Sequence, residues 1–497
     1  VIGAGFDPVA AGVFIGFFAL VTIMGFVAAR WRRPATLAHL DEWGLGGRQF
    51  GTWVTWFLVG GDFYTAYTVI AVPALVYAVG AYGFFALPYT ILVYPVVFMI
   101  MPKLWAVAAK HGYVTAGDVV HGRYGSRALE LAVAATGVIA TMPYIALQLI
   151  GMEVVIHALG FNGELPLIAA FLILALYTYS SGLRAPALIA FVKDIMIYIV
   201  VIAAVALIPI KLGGYAAVFS AAEAGFKAKG AGGITLSGAQ YLPYATLALG
   251  SALAAFMYPH TLTGIFASKS GATIKKNAIL LPAYTLLLGL IALLGYMAYA
   301  AGVKPGTPND VVPALFKAVF PSWFAGFAFA AIGIGALVPA AVMSIGAANL
   351  FTRNFWKAYV NPAVTPAGEA AVAKVTSLLV KVGALLVILF LPTQFALDLQ
   401  LLGGLWIMQT FPAVVFGLFT RFFHGNALLL GWAVGFFGGS YLAWTDGLKP
   451  LHTLVIGGAS YTLYVGLLAL AVNIVVAVVA SGLMSMAGVA KVQAAEA

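Results

Sequence analysis

The sequence predicts an all-α integral membrane protein with thirteen transmembrane helices. Three observations carry that prediction. The chain of 497 residues is 63% hydrophobic and only 8% charged, with a mean hydropathy of +1.04. A soluble domain carries roughly 25% charged residues, so this chain lacks the polar surface to cover itself in water. Its apolar runs are long and lack the period-two alternation of barrel strands, which leaves helices as the spanning form.

Taken in order, the runs place spans at 8–29, 51–78, 82–102, 128–158, 163–181, 185–210, 239–268, 276–302, 321–352, 371–391, 395–420, 426–445 and 455–482. Each is about long enough for a ~30 Å hydrocarbon core at a rise of about 1.5 Å per residue. The first is too long for a cleaved signal, and no basic stretch precedes it. An odd number of spans puts the termini on opposite sides. With the first residue outside, seventeen Lys and Arg fall at inner ends, Arg32 and Arg33 among them. Only six, Lys211, Lys227, Lys229, Lys304, Lys317 and Lys449, fall outside. The positive-inside rule therefore predicts an N-out, C-in orientation, and a plasma (inner) membrane location is expected. The same asymmetry accounts for the net charge of +10 without a nucleic-acid partner.

No soluble domain interrupts this pattern, so residues 1–497 read as one transmembrane domain. The longest non-spanning stretches are 211–238 and 303–320. The second contains NDVVPALFKAVF, which reads as a short amphipathic helix over an entrance. The absence of cysteine excludes disulfides, zinc–thiolate sites and cysteine nucleophiles. GLGGRQFG at 44–51 leads into an apolar helix rather than following a strand, which argues against phosphate binding. The seven histidines have no metal-ligand spacing and there is no HExxH. No cofactor and no enzyme chemistry are expected.

Two spans are broken at comparable places. The second has Gly60-Gly61 in its middle, and the seventh has FMYPHTLTG with Pro259 mid-span. Such a matched pair is the best sequence pointer to a transporter site, because freed backbone groups are tolerated where they line a cavity. A passive channel would need a repeated filter loop, and none is present.

The resemblance to a known family rests on LGGRQFGTW and IAVPALVYAVG around the first break, GRYGSRALELA and PYIALQLIG in the fourth span, SGLRA opening the sixth, and YPHTLTGIFASKS in the seventh. In order and position these resemble the sodium:solute symporter family over nearly the whole chain. SGLRAPALIAFVKD and AFMYPHTLTGIFASKSGATIKKNA look most like its bacterial monocarboxylate permeases, which take up lactate, pyruvate and related acids. The resemblance implies a LeuT-like inverted five-plus-five repeat: a leading helix (8–29), a first repeat (51–210), a second repeat (239–420) and two trailing helices (426–482). It also implies a symporter working by alternating access. A sodium-coupled importer of another small solute, such as an amino acid or pantothenate, is the alternative.

Sodium-using members of the family bind the ion between two carbonyls of the broken second span and a hydroxyl pair of the ninth. Here the carbonyl positions fall at Gly61 and Tyr64, but the hydroxyl positions fall at Val338 and Pro339. Ala190 stands where the family often has an aspartate. Hard cations want several oxygen ligands, so the sodium site looks lost. Lys193 lies nine residues past Arg184, about 13 Å deeper along the helix. Asp62 lies in the break itself. Each mid-span charge costs about 2.5–3.5 kcal/mol on insertion scales. The expectation is that Lys193 pairs with Asp62 and couples transport to protons, with sodium possible instead and a purely structural pair as the alternative. Asp194 is a rival partner, but it sits about 100° around the helix from Lys193.

The substrate, a small monocarboxylate, needs donors and an apolar wall. Candidate lining residues are Gly61, Tyr64, Thr65 and Thr68 at the first break, and Tyr144 and Gln148 at i, i+4 on the fourth span. Tyr258 and His260 flank the second break, and Trp406 lies on the eleventh span. For the threonines the alternative is hydroxyls bonded to their own helix. For Gln148 it is glue between helices, for His260 a satisfied structural role, and for Trp406 packing.

Overall fold

A computed structural model describes residues 5–31, 36–390 and 396–492. Arg32 and Arg33, and the span limits expected at 391 and 395, lie outside these residues. The described chain is helical apart from one hairpin. In order the helices are α1 (Pro8–Val27), α2 (Leu40–Leu45), α3 (Thr52–Thr55), α4 (Val72–Val79), α5 (Ala86–His111), α6 (Ala116–Tyr124), α7 (Arg127–Ala158), α8 (Leu165–Ser181) and α9 (Arg184–Lys211). They continue as α10 (Tyr215–Lys229), α11 (Tyr241–Ala255), α12 (Pro259–Phe266), α13 (Gly271–Leu280), α14 (Pro282–Ala292), α15 (Leu294–Ala300), α16 (Val311–Val319) and α17 (Ser322–Phe351). The last five are α18 (Pro366–Phe390), α19 (Ala396–Ile407), α20 (Phe411–Val415), α21 (Gly425–Thr445) and α22 (Val465–Met486). Among the described residues, ten helical segments are long and apolar enough to cross a membrane.

Local chemistry explains several boundaries. Asp7 caps α1 by accepting from the backbone amides of Val9 and Ala10. Thr115 and Asp118 form a reciprocal capping box at the start of α6. Ser126 caps α7 through the amide of Leu129.

The centre of the fold is α17, whose apolar window is wholly buried. It packs on α1, α7, α9 and α12. Small residues make this possible, as expected for helices that associate without a hydrophobic driving force. At Gly346 a Cβ would stand 2.8 Å from the carbonyl carbon of Pro259 and 2.9 Å from the amide nitrogen of His260. Only glycine lets the start of α12 lie against α17 there. α21 and α22 pair with each other and dock on α19.

Two features differ from the sequence reading. The segment expected to span from 455 begins instead as a β-hairpin, β1 (Leu451–Ile456) and β2 (Ala459–Tyr464), and α22 starts only at Val465. Gly457 and Gly458, with φ of 60° and 84°, form its two-residue turn. Positive φ at both central residues is what such a hairpin turn requires. The stretch 211–238 contains α10, which buries Val218, Ala222 and Phe226 at i, i+4, i+8 against α15. The amphipathic helix expected near 309–320 is present as α16.

Candidate functional site

The site forms where both broken helices unwind. After α3 the chain makes a wide turn over Trp56–Gly60, then two tight turns. These close through the amide of Phe63 to the Gly60 carbonyl (3.0 Å) and the amide of Tyr64 to the Gly61 carbonyl (3.0 Å). A second wide turn over Tyr67–Ala71 leads into α4. α11 ends at Ala255, and Pro259 starts α12. At one end the two broken segments are clasped by backbone bonds. The Phe50 amide donates to Ala267 (3.1 Å), and the Lys269 amide donates to Phe50 (2.8 Å).

The carbonyls of Gly61 and Tyr64 point at α9. Lys193 donates its Nζ to Gly61 O at 2.5 Å and to Tyr64 O at 3.2 Å, and pairs with Asp194 Oδ1 at 3.0 Å. Both charged side chains are fully buried. The carbonyl end of a half-helix is the negative end of its dipole, so it suits a cation. Asp194 Oδ2 in turn accepts the Tyr284 hydroxyl at 2.7 Å, and Tyr64 donates its hydroxyl to the Tyr284 carbonyl at 2.7 Å. Gly61 has an ordinary φ of −62°. Its role is space, since a Cβ would stand 2.8 Å from both Lys193 Nζ and Asp194 Oδ2.

The expected Lys193–Asp62 pair is therefore replaced by Lys193–Asp194. The long lysine stem spans the angular offset between neighbouring positions on α9. Asp62 is turned by the break toward α12. Its Oδ2 lies 3.2 Å from His260 Nε2 and accepts the Thr261 hydroxyl at 3.2 Å. The start of α12 presents the positive end of a helix dipole to that carboxylate. His260 is only 2% exposed, and its Nδ1 has no hydrogen-bond partner among the described residues. Its ring contacts Tyr144 (5.4 Å) and Tyr258 (5.2 Å).

The other candidates divide. Thr68 Oγ1 accepts from the Thr65 amide (3.1 Å) and donates to the Thr65 carbonyl (3.0 Å), while Thr65 Oγ1 accepts from the Tyr67 amide (3.0 Å). These hydroxyls are bonded to the backbone of the break itself. Gln148 Oε1 accepts the Ala66 amide at 3.1 Å, replacing a bond that the broken helix has lost. Tyr258 donates its hydroxyl to the Gln400 carbonyl at 3.0 Å, which ties α12 to α19. Trp406 is held by the trailing helix: its Nε1 donates to Ser440 on α21 at 2.9 Å, and its ring lies beside Phe436. The large indole is matched there by the apolar trailing helix.

Ala190, Val338 and Pro339 are buried and supply no side-chain oxygen. One turn before Val338, a Cβ on Gly335 would stand 3.8 Å from the Tyr64 carbonyl. The hydroxyl-free face of α17 thus borders the lysine site. Tyr284 and Thr261 emerge only from the structure. Nothing in their local sequence distinguishes them from other buried hydroxyls.

Comparison with known proteins fits this geometry. The sequence profile described as "Sodium:solute symporter family" matches residues 43–435. The chain belongs to the sodium:solute symporter family. A monocarboxylate transport permease protein of Rhizobium johnstonii is 76% identical over 475 residues, covering 96% of this chain and 97% of the relative. The uncharacterized symporter YodF of Bacillus subtilis is 32% identical over 464 residues, covering 92% and 90%. Among solved structures, a Na⁺-coupled sialic acid symporter in a substrate-bound outward-open state superposes with a TM-score of 0.79 at 15% identity, over 99% of this chain and 100% of that one. Mhp1, a nucleobase-cation-symport-1 family transporter, superposes with a TM-score of 0.50 at 11% identity, over 86% and 91%. At these identities the structural matches speak to fold alone. This symporter is thus an all-α, multi-pass membrane transporter of the same broad architecture.

Proposed function

We propose that this symporter imports small monocarboxylates, lactate and pyruvate among them, across the plasma membrane by alternating access, driven by protons rather than sodium. The observation that carries the reading is the Lys193 ammonium. It occupies the carbonyl pair of Gly61 and Tyr64, where sodium-using family members are expected to hold their ion. A fixed cation there, with no hydroxyls at Val338 and Pro339, leaves little for sodium to bind. The substrate class is supported by the name of the relative at 76% identity. Lys193 on α9 is the proposed fixed replacement for the ion, and Asp62, in the break it faces, is the proposed proton-coupling carboxylate.

The proposed topology is thirteen spans, N-out and C-in. It counts the ten long apolar segments, separates α4 from α5 at the Gly80 turn (φ 77°), and adds α8 and the α11–α12 pair. The test is uptake of radiolabelled lactate and pyruvate into proteoliposomes, with an imposed pH gradient or an imposed sodium gradient. The expected result is accumulation driven by the pH gradient in sodium-free buffer. Uptake that requires sodium and ignores the pH gradient would overturn the coupling and favour a sodium-coupled importer.

A further inference from the structure

The Asp62–His260 contact joins the two broken segments, one from each proposed repeat, and is distinct from the Lys193–Asp194 pair. Its geometry is asymmetric. Nε2 of His260 faces Asp62 Oδ2 at 3.2 Å, whereas the buried Nδ1 faces no partner among the described residues. An imidazole that donates through Nε2 and is otherwise neutral has a bare acceptor at Nδ1. Only the imidazolium donates from both nitrogens.

We infer that His260 is the substrate-carboxylate site, and that it binds a monocarboxylate only together with one proton. This rests on the reading of the protein as a monocarboxylate symporter. Taking Asp62 as a carboxylate and His260 as neutral, the empty site carries a net charge of −1. A carboxylate anion approaching Nδ1 alone would meet a lone pair and a neighbouring negative charge. When a proton arrives on Nδ1 with it, the imidazolium is clamped between two carboxylates, Asp62 at Nε2 and the substrate at Nδ1. The net charge is again −1, so one proton and one anion enter without moving charge. Buried charges are costly unless each is matched, which ties the one-to-one count to the Asp62–His260 contact.

The other groups around the pair do not supply that charge. Lys193 on α9 lies close enough for its charge to act on Asp62, but it is itself paired with Asp194 at 3.0 Å. Tyr89 on α5, Tyr144 on α7 and Tyr258 before α12 offer only hydroxyls and rings. Thr261 contributes one donor to Asp62. α17, which packs on α12, contains no titratable residue, and the acids of α2, Asp41 and Glu42, are more exposed and engaged elsewhere with Arg48 and Arg184. The aromatic walls also suit a short alkyl or methyl end rather than a second charge.

The inference is tested by calorimetric binding of L-lactate and of pyruvate to the purified protein in detergent. Titrations run at pH 7.5 in sodium-free buffers of different ionisation enthalpy, so that protons taken up per anion are counted. The expected count is close to one for the wild type and close to zero for His260→Gln, with weaker binding in the variant. A wild-type count near zero overturns the proposal without needing any variant. So does a count near one that survives in His260→Gln. Binding that appears only when sodium is added instead overturns the sodium-independent reading on which the proposal rests, and failure of both acids to bind overturns the substrate class.

Discussion

Truncating Lys193 to alanine is the most direct probe of the ammonium cage. Three oxygens lie within 3.2 Å of Nζ: the carbonyls of Gly61 and Tyr64, and Asp194 Oδ1. Lys193→Ala leaves the fully buried Asp194 carboxylate with the Tyr284 hydroxyl as its remaining donor. It also leaves two carbonyls facing a void. Removing one partner of a buried ion pair costs about 3–5 kcal/mol, and the loss should lie in that range. The same three oxygens then form an incomplete cation cage. Sodium present at about 100 times its dissociation constant would return about 2.7 kcal/mol. The assay is thermal unfolding of the purified protein in choline chloride and in sodium chloride at equal ionic strength. The wild type should unfold at the same temperature in both. Lys193→Ala should unfold earlier in choline and be partly restored by sodium. A variant as stable as the wild type in choline, or a wild type itself stabilised by sodium, would refute the argument that the lysine takes the ion's place.

Three further outcomes are expected. Gly346→Ala drives a methyl against the backbone of Pro259 and His260 at 2.8–2.9 Å. It should cost about 1–3 kcal/mol of stability and slow lactate uptake, while unchanged uptake kinetics would argue that α12 need not lie this close to α17. Gln148→Leu leaves the Ala66 amide unpaired, worth about 1–3 kcal/mol. Its unfolding midpoint should fall, and a midpoint equal to the wild type would mean that another group satisfies that amide. Trp406→Phe loses the bond to Ser440, a net contribution of about 0.5–1.5 kcal/mol. The Michaelis constant for lactate should stay within twofold of wild type, because the indole is engaged by Ser440 and Phe436 of α21. A large rise would return Trp406 to the substrate path.

Much of the helical order was legible because lipid leaves the backbone so few choices. Both breaks were also visible, as Gly60-Gly61 and as Pro259 inside apolar runs. The pairing of charges was not. Lys193 and Asp194 are adjacent in sequence, and an ideal helix turns them about 100° apart. That argument treats side chains as rigid spokes, whereas a lysine stem reaches back across its own helix. The threonines of the break were ambiguous for a related reason. A hydroxyl beside freed amides bonds whichever is nearer, and Thr65 and Thr68 found their own backbone. The hairpin at 451–464 was masked by strands rich in apolar residues, though VIGGAS carries the Gly-Gly turn that such a hairpin needs.

The two charged contacts at the first break leave from neighbouring residues in different directions. The carbonyl of Gly61 is held by Lys193 on α9, and the side chain of Asp62 is held by His260 and Thr261 on α12. Between them lies one rigid peptide unit. A change in what His260 grips, from Asp62 alone to Asp62 plus a substrate carboxylate, therefore reaches the α9 contact through a single plane of atoms. The peptide plane cannot absorb that change by bending, so it is taken up by rotation about φ and ψ at Gly61 and Asp62 or about the side-chain torsions of Asp62. Gly61 is confined on its α9 side by the space that Lys193 and Asp194 fill. The freedom left to the break is rotation of Asp62 relative to α9, and this is a motion that would move one proposed repeat against the other. On this view the lysine does more than replace a sodium ion. A dissociable ion would let the break relax each time it left, whereas a tethered ammonium keeps one side of the hinge fixed. The proposed exchange of proton and anion at His260 is then the event left to drive the motion.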